Sequence, residues 1–97
     1  MDLHGKCALV TGGGSGMGAS VARMLGARGA RVAVLDLNGD AAEATANEIA
    51  GLAFSADVAD ESSVKAALEE TISQIGIPRV VVSCAGIAPA SRILGRE

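Results

Sequence analysis

Four short apolar runs, separated by three longer stretches of helical periodicity, restrict this chain more than any other feature of its sequence. The runs are Cys7 to Thr11, Arg31 to Asp36, about Ala53 to Ser55 and Arg79 to Ser83, each of strand length and closed by turn-forming residues. After the first, a glycine cluster turns the chain, and Met17, Val21, Met24 and Leu25 recur at helical spacing up to Gly29, a C-capping residue. Asn38-Gly39-Asp40 leads into an Ala/Glu-rich helix ending near Gly51. Asp60 can N-cap a third helix, whose Val64, Leu68, Ile72 and Ile75 form one apolar stripe before Gly76.

Strands joined through helices must pair in parallel, because each return to the sheet needs a crossover, and such crossovers are right-handed in nearly all cases. The expected fold class is therefore α/β, a doubly wound parallel sheet. In the dinucleotide-binding arrangement the strand order is 3-2-1-4, which brings the loops after the first and fourth strands to one crevice, with Gly12 facing Ala85. Val80, Val81 and Val82 are apolar on both faces, which suits a strand covered by helices on each side. Nothing after them reads as a fifth strand, and sheets avoid long uncovered edges. Residues 1–97 are thus expected to be the N-terminal half of a Rossmann domain, truncated before its catalytic segment.

Composition narrows the function. At 49% hydrophobic and 20% charged the chain has the make-up of a globular domain, and a net charge of −3 without a Lys/Arg cluster argues against nucleic acid or anionic membrane as partners. It has neither an apolar run of about 20 residues nor the core of a signal peptide, so a cytoplasmic location is expected. Cys7 and Cys84 form no Cys-x-x-Cys motif and fall at opposite ends of neighbouring strands, where they read as reduced thiols. His4 has no partner at metal-ligand spacing, and Asp60 and Glu61 read as a cap and a solvated carboxylate, so no metal site is expected.

The residues that carry chemistry begin with Thr11-Gly12-Gly13-Gly14-Ser15-Gly16-Met17-Gly18, between a strand and a helix. A helix N-terminus there offers backbone N–H groups and a positive dipole end to phosphate oxygens. Gly14-x-Gly16-x-x-Ala19 also matches the dinucleotide fingerprint, but the strand ends at Thr11, which favours the Gly12, Gly16, Gly18 register. A triphosphate-binding loop is disfavoured, because no Lys-Ser or Lys-Thr follows the glycines and the nearest base, Arg23, lies inside the helix. Asp36 closes the second strand, where a carboxylate accepts hydrogen bonds from the adenosine ribose and repels a 2′-phosphate. Neither Leu37 nor Ser15 offers a cation to that phosphate, so NAD is expected over NADP.

Together Thr11-Gly12-x-x-x-Gly16-x-Gly18, Asp36, Asp57-Val58 and Ala85-Gly86 resemble the short-chain dehydrogenase/reductase family in order and spacing, over nearly the whole chain. The resemblance implies that Asp57 and the Val58 backbone meet adenine, that Ser15 and Met17 touch the phosphates or ribose, and that Cys84, Ala85 and Gly86 lie beside the nicotinamide ribose. It implies an NAD-dependent oxidoreductase interconverting a secondary alcohol and a ketone, and a homotetramer as the parent assembly. Two departures stand out. The family often has Asn-Asn-Ala-Gly where this chain has Ser83-Cys84-Ala85-Gly86, and the stretch Cys84 to Ala88 resembles the branch of type-2 3-hydroxyacyl-CoA dehydrogenases, which points to acyl-CoA substrates. The family's catalytic Ser and Tyr-x-x-x-Lys lie beyond the region covered, and this sequence has no Tyr, so no catalytic residue is assigned and the 97 residues alone are expected to be inactive. The competing expectations are a non-catalytic nucleotide-binding or regulatory module and, on architecture alone, a flavodoxin-like domain.

Overall fold

The computed structural model describes residues 3–14 and 16–84. In chain order the elements are β1 (Cys7–Thr11), α1 (Gly16–Ala27), β2 (Arg31–Asp36), α2 (Gly39–Ile49), β3 (Leu52–Ser55), α3 (Glu61–Ile75) and β4 (Val80–Ser83). The four strands form one parallel sheet, as the alternation predicts, in the order β3-β2-β1-β4 expected of the dinucleotide-binding arrangement. Strand limits differ from the sequence-based ones by a single residue, at the starts of β3 and β4.

Side chains alternate across the sheet and fill two cores. Ala8, Val10, Val32 and Val34 face Ala22 and Leu25 of α1 and Ala42 and Ala46 of α2. Leu9, Ala33 and Leu35 face Ala56 and, from α3, Val64 and Ala67. This two-sided burial is why β1 and β2 read as continuous apolar runs. Among the described residues β4 pairs only with β1, and all four of its residues are half-buried.

The helix ends follow local hydrogen bonding. Asn38 caps α2, its side-chain oxygen accepting from the Ala41 amide at 3.1 Å. Asp60 caps α3 as expected, Oδ1 accepting from the Ser62 and Ser63 amides at 3.0 and 3.4 Å. The α2 C-cap is Ala50, in the left-handed region at φ 54°, one residue before the glycine the sequence offers.

One expectation is corrected. Met17 and Met24 are not part of the buried stripe of α1: they are exposed, and the face turned to the sheet is Gly18, Ala19, Ala22 and Leu25. The reason is the closeness of the helix to the turn after β1. A Cβ built on Gly18 would overlap the Gly12 carbonyl oxygen and lie 2.6 Å from its carbon, so only small residues fit, and the methionines are turned outward. In α3 Ile72 is likewise exposed, and Val64, Ala67 and Thr71 are the buried residues.

Replacing Gly18 by Ala forces α1 away from the Gly12 peptide. We expect Gly18→Ala to destabilise the full-length protein by about 1–3 kcal/mol, the range for overpacking a close contact. Urea denaturation checks this, and an unchanged midpoint would show that the turn yields freely.

Candidate functional site

The C-terminal ends of the four parallel strands make one edge, and the residues singled out by the sequence fall along it in strand order. Asp57 and Val58 follow β3, Asp36 ends β2, Gly12 to Gly14 follow β1, and Cys84 follows β4. The β1 and β4 ends are joined: the Cys84 amide donates to the Thr11 carbonyl at 3.0 Å, and the buried Thr11 hydroxyl donates to Ser83 Oγ at 3.3 Å. Ser83 therefore does supply a link across the sheet where the family often has asparagine. Ser15, Ala85 and Gly86 lie outside the described residues.

The glycine turn is held from the β2 side. The Gly13 amide donates to the Leu35 carbonyl at 3.2 Å, and the Gly14 amide to Asp36 Oδ2 at 2.9 Å. A Cβ on Gly14 would come within 2.7 Å of Ala41 Cβ and 2.8 Å of Asp36 Oδ2, so the turn lies directly against the end of β2 and the start of α2. Gly12 and Gly16 have φ of 67° and 58°, the left-handed region that favours glycine. Among the described residues a Cβ on Gly16 would meet nothing within 4 Å, and Met17 beside it is 77% exposed. The first amides of α1 have no carbonyl partner within the helix and can serve an anion there.

Asp36 is half-buried and its two carboxylate oxygens are aimed by backbone donors: Oδ2 takes Gly14 and Oδ1 takes the Asn38 amide at 2.9 Å. A carboxylate has about four acceptor positions, so these two bonds orient the group and still leave capacity for hydroxyl donors. Asp57 is exposed; its Oδ1 accepts from the Ala59 amide at 2.9 Å, and its own amide donates to Ser63 Oγ at 3.2 Å, which ties the loop to α3. Val58 is half-buried against the α3-side core.

Arg23, the base nearest the turn, is committed elsewhere. Its Nε lies 2.6 Å from Glu48 Oε2, bridging α1 to α2 on the surface. The hydrogen bond and charge of Arg23 draw the Glu48 carboxyl below its usual range, and Glu48 in turn raises Arg23. One contact to the turn had no sequence signal: the Thr45 hydroxyl, buried in α2, donates to the Gly14 carbonyl at 3.4 Å.

Cys7 and Cys84 are both free thiols, Cys7 buried at the start of β1 and Cys84 half-buried at the C-terminal edge of the sheet. Burial pushes the Cys7 thiol above its ordinary value of 9.0, against a smaller opposing pull from the Arg31 charge. No described helix is long and apolar enough to cross a membrane.

A family model described as short chain dehydrogenase matches residues 6–95, and the chain belongs to that family. It is 43% identical over 91 residues to D-threitol dehydrogenase of Mycolicibacterium smegmatis, covering 89% of this chain and 35% of that protein. It is 38% identical over 91 residues to 7alpha-hydroxysteroid dehydrogenase of Escherichia coli K12, covering 89% and 36%. Among solved structures it is similar to a 3-ketoacyl-(acyl-carrier-protein) reductase of Brucella melitensis complexed with NADH, with a TM-score of 0.79, 41% identity and coverage of 81% of this chain and 33% of that one. The chain thus spans about a third of the length of the relatives it matches.

The burial difference between the two cysteines makes a testable contrast. We expect a thiol-alkylating reagent to modify Cys84 in the native protein and Cys7 only on unfolding, as peptide mass spectrometry can read. Because the folded thiol of Cys7 holds its proton to higher pH than the unfolded one, its contribution to stability is complete below pH 9.0 and is lost as pH rises through the folded value. The stability difference between the wild type and Cys7→Ala should therefore narrow above that pH; a constant difference would contradict the shift.

Proposed function

We propose that this chain is the N-terminal, cofactor-binding part of an NAD-dependent oxidoreductase that interconverts a secondary alcohol and a ketone. The observation that carries the reading is the order of groups along the strand edge. Taken β3, β2, β1, β4, the edge offers Asp57 and Val58, then Asp36, then the glycine turn with the α1 N-terminus, then Cys84. A dinucleotide presents adenine, ribose, pyrophosphate and nicotinamide ribose in that sequence, and neighbouring strands are about 4.8 Å apart. The physical fit test is at Gly16: with φ of 58° and, among the described residues, nothing within 4 Å of where a Cβ would stand, it would let a pyrophosphate approach the helix N-terminus.

In this reading Gly12, Ser15, Gly16, Met17 and Gly18 form the phosphate-binding turn, and Asp36 receives the adenosine ribose hydroxyls. Asp57 and Val58 hold adenine, and Cys84, Ala85 and Gly86 line the nicotinamide ribose. Bound there, nicotinamide would supply a hydride acceptor or donor. The chain's own residues bind and orient; the family's Tyr is not among them, and this reading assigns the proton moved alongside the hydride to none of these residues. The names of the relatives include a polyol and a steroid dehydrogenase, which supports a secondary-alcohol chemistry of this breadth. A 3-hydroxyacyl-CoA is the narrower substrate reading and rests on the stretch Cys84 to Ala88 alone.

NAD is preferred over NADP because Asp36 is followed by Leu37 and Asn38, and a 2′-phosphate would meet the carboxylate without a neighbouring cation. Hydrogen bonds to a charged group contribute about 1.5–3 kcal/mol, so Asp36→Ala in the full-length protein is expected to weaken NAD about tenfold or more and to narrow its preference over NADP. Titration calorimetry with both cofactors checks this. An unchanged affinity ratio would remove Asp36 from the ribose site, and binding without oxidation of any secondary alcohol would support the non-catalytic module instead.

A further inference from the structure

We propose that Thr45 of α2 is a positioning residue for the dinucleotide, acting through the Gly14 peptide of the turn. The inference rests on the cofactor-site reading above and adds a residue to it that does not touch the ligand.

Three observations carry it. Thr45 is 2% exposed, and its hydroxyl donates to the Gly14 carbonyl across the boundary between α2 and the turn, at 3.4 Å. A threonine inside a helix has a nearer option, the carbonyl four residues back. Thr71, the other buried helical threonine, takes it, donating to the Ala67 carbonyl at 2.8 Å. Thr45 instead spends its donor on the turn.

The second observation is that the same glycine is held at its other end, the Gly14 amide donating to Asp36 Oδ2 at 2.9 Å. Gly14 is therefore gripped through both its N–H and its C=O. The third is that both grips belong to one rigid unit. Asp36 Oδ1 accepts from the Asn38 amide, and the Asn38 side chain caps α2 at the Ala41 amide, whose residue backs Gly14 directly. A closed circuit runs Asp36, Asn38, Ala41, Thr45, Gly14, and the turn takes its position from α2 as much as from β1.

The consequence is a division of labour. Asp36 acts on the ligand and on the turn, while Thr45 acts on the turn alone. Removing the Thr45 hydroxyl leaves the Gly14 carbonyl without its buried donor and frees the peptide preceding the phosphate-facing helix end. The cost should appear in affinity, since the ligand must then order what the protein no longer holds.

The test uses the full-length protein with Thr45→Val, which keeps the shape and loses the hydroxyl, and Thr45→Ser, which keeps the hydroxyl. Folding of each is checked by circular dichroism, and the dissociation constants of NAD and ADP-ribose are measured by calorimetry. Thr45→Val is expected to bind both ligands roughly two- to fivefold more weakly, the lower part of the range for one hydrogen bond because the 3.4 Å contact is long, and Thr45→Ser to recover most of that loss. Amide hydrogen exchange in the segment containing Gly14 should quicken in Thr45→Val without ligand. Unchanged affinity in Thr45→Val, or a Thr45→Ser variant as weak as Thr45→Val, overturns the inference while leaving the cofactor site standing. Failure of the unaltered protein to bind NAD or ADP-ribose overturns the site reading and this inference with it.

Discussion

The close approach of α1 to the turn after β1 is the contact on which the rest of the molecule depends. Gly18 lies so near the Gly12 peptide that no side chain can stand between them, and this brings the helix N-terminus directly over the end of a strand with neighbours on both sides. Because β1 pairs with both β2 and β4, its register sets the levels of Asp36 and Cys84 relative to the turn. Thr11 is opposite Leu35 on one side and Ser83 on the other, so the groups that follow these residues emerge at one height. The site is a consequence of strand register more than of loop conformation.

The same closeness dictates the core. The helix faces turned to the sheet are mostly small, with Ala19, Ala22, Ala42, Ala46 and Ala67 all buried, and Leu9, Leu35 and the strand valines, with Leu25 and Val64 from the helices, supply the bulk. A chain with one Phe and no Tyr or Trp can fill two thin layers in this way, because each strand residue is covered by backbone and methyl groups at short range rather than by a large ring.

That geometry also explains what could be read from the sequence and what could not. Parallel pairing and the Asp60 cap were legible, because crossovers and capping leave few alternatives, whereas strand order came only by analogy with the dinucleotide-binding arrangement. The buried face of α1 was not. Hydrophobic periodicity selects Met17 and Met24, whereas the sheet selects for volume, and Gly18 and Ala22 carry little signal on a hydrophobicity scale. Asp36 was legible as a strand-end carboxylate but not as the acceptor for Gly14 and Asn38, since those bonds depend on how the turn folds back on β2. Thr45 was invisible for a related reason: it reads as one polar residue in an Ala/Glu-rich helix, and only the packing of Gly14 against Ala41 puts a carbonyl within its reach.

The distribution of charge then decides how a doubly anionic pyrophosphate could be held at such an edge. The C-terminal ends of the strands carry Asp36, Asp57 and Asp60, while Lys6, Arg31 and Arg79 stand at or just before the starts of β1, β2 and β4, at the opposite edge. Arg23 is paired with Glu48. In the proposed cofactor reading the described residues of this edge leave attraction to backbone N–H groups and the α1 dipole, which contribute about 0.3–1 kcal/mol at an exposed helix end and up to ~2 kcal/mol when partly buried. Contributions of that size depend on the donors being held in place before the ligand arrives. The turn is held by its bonds to Leu35, Asp36 and Thr45, so in the proposed reading the acidic edge would bind an anion through fixed dipoles and Asp36 would disfavour a further phosphate beside it.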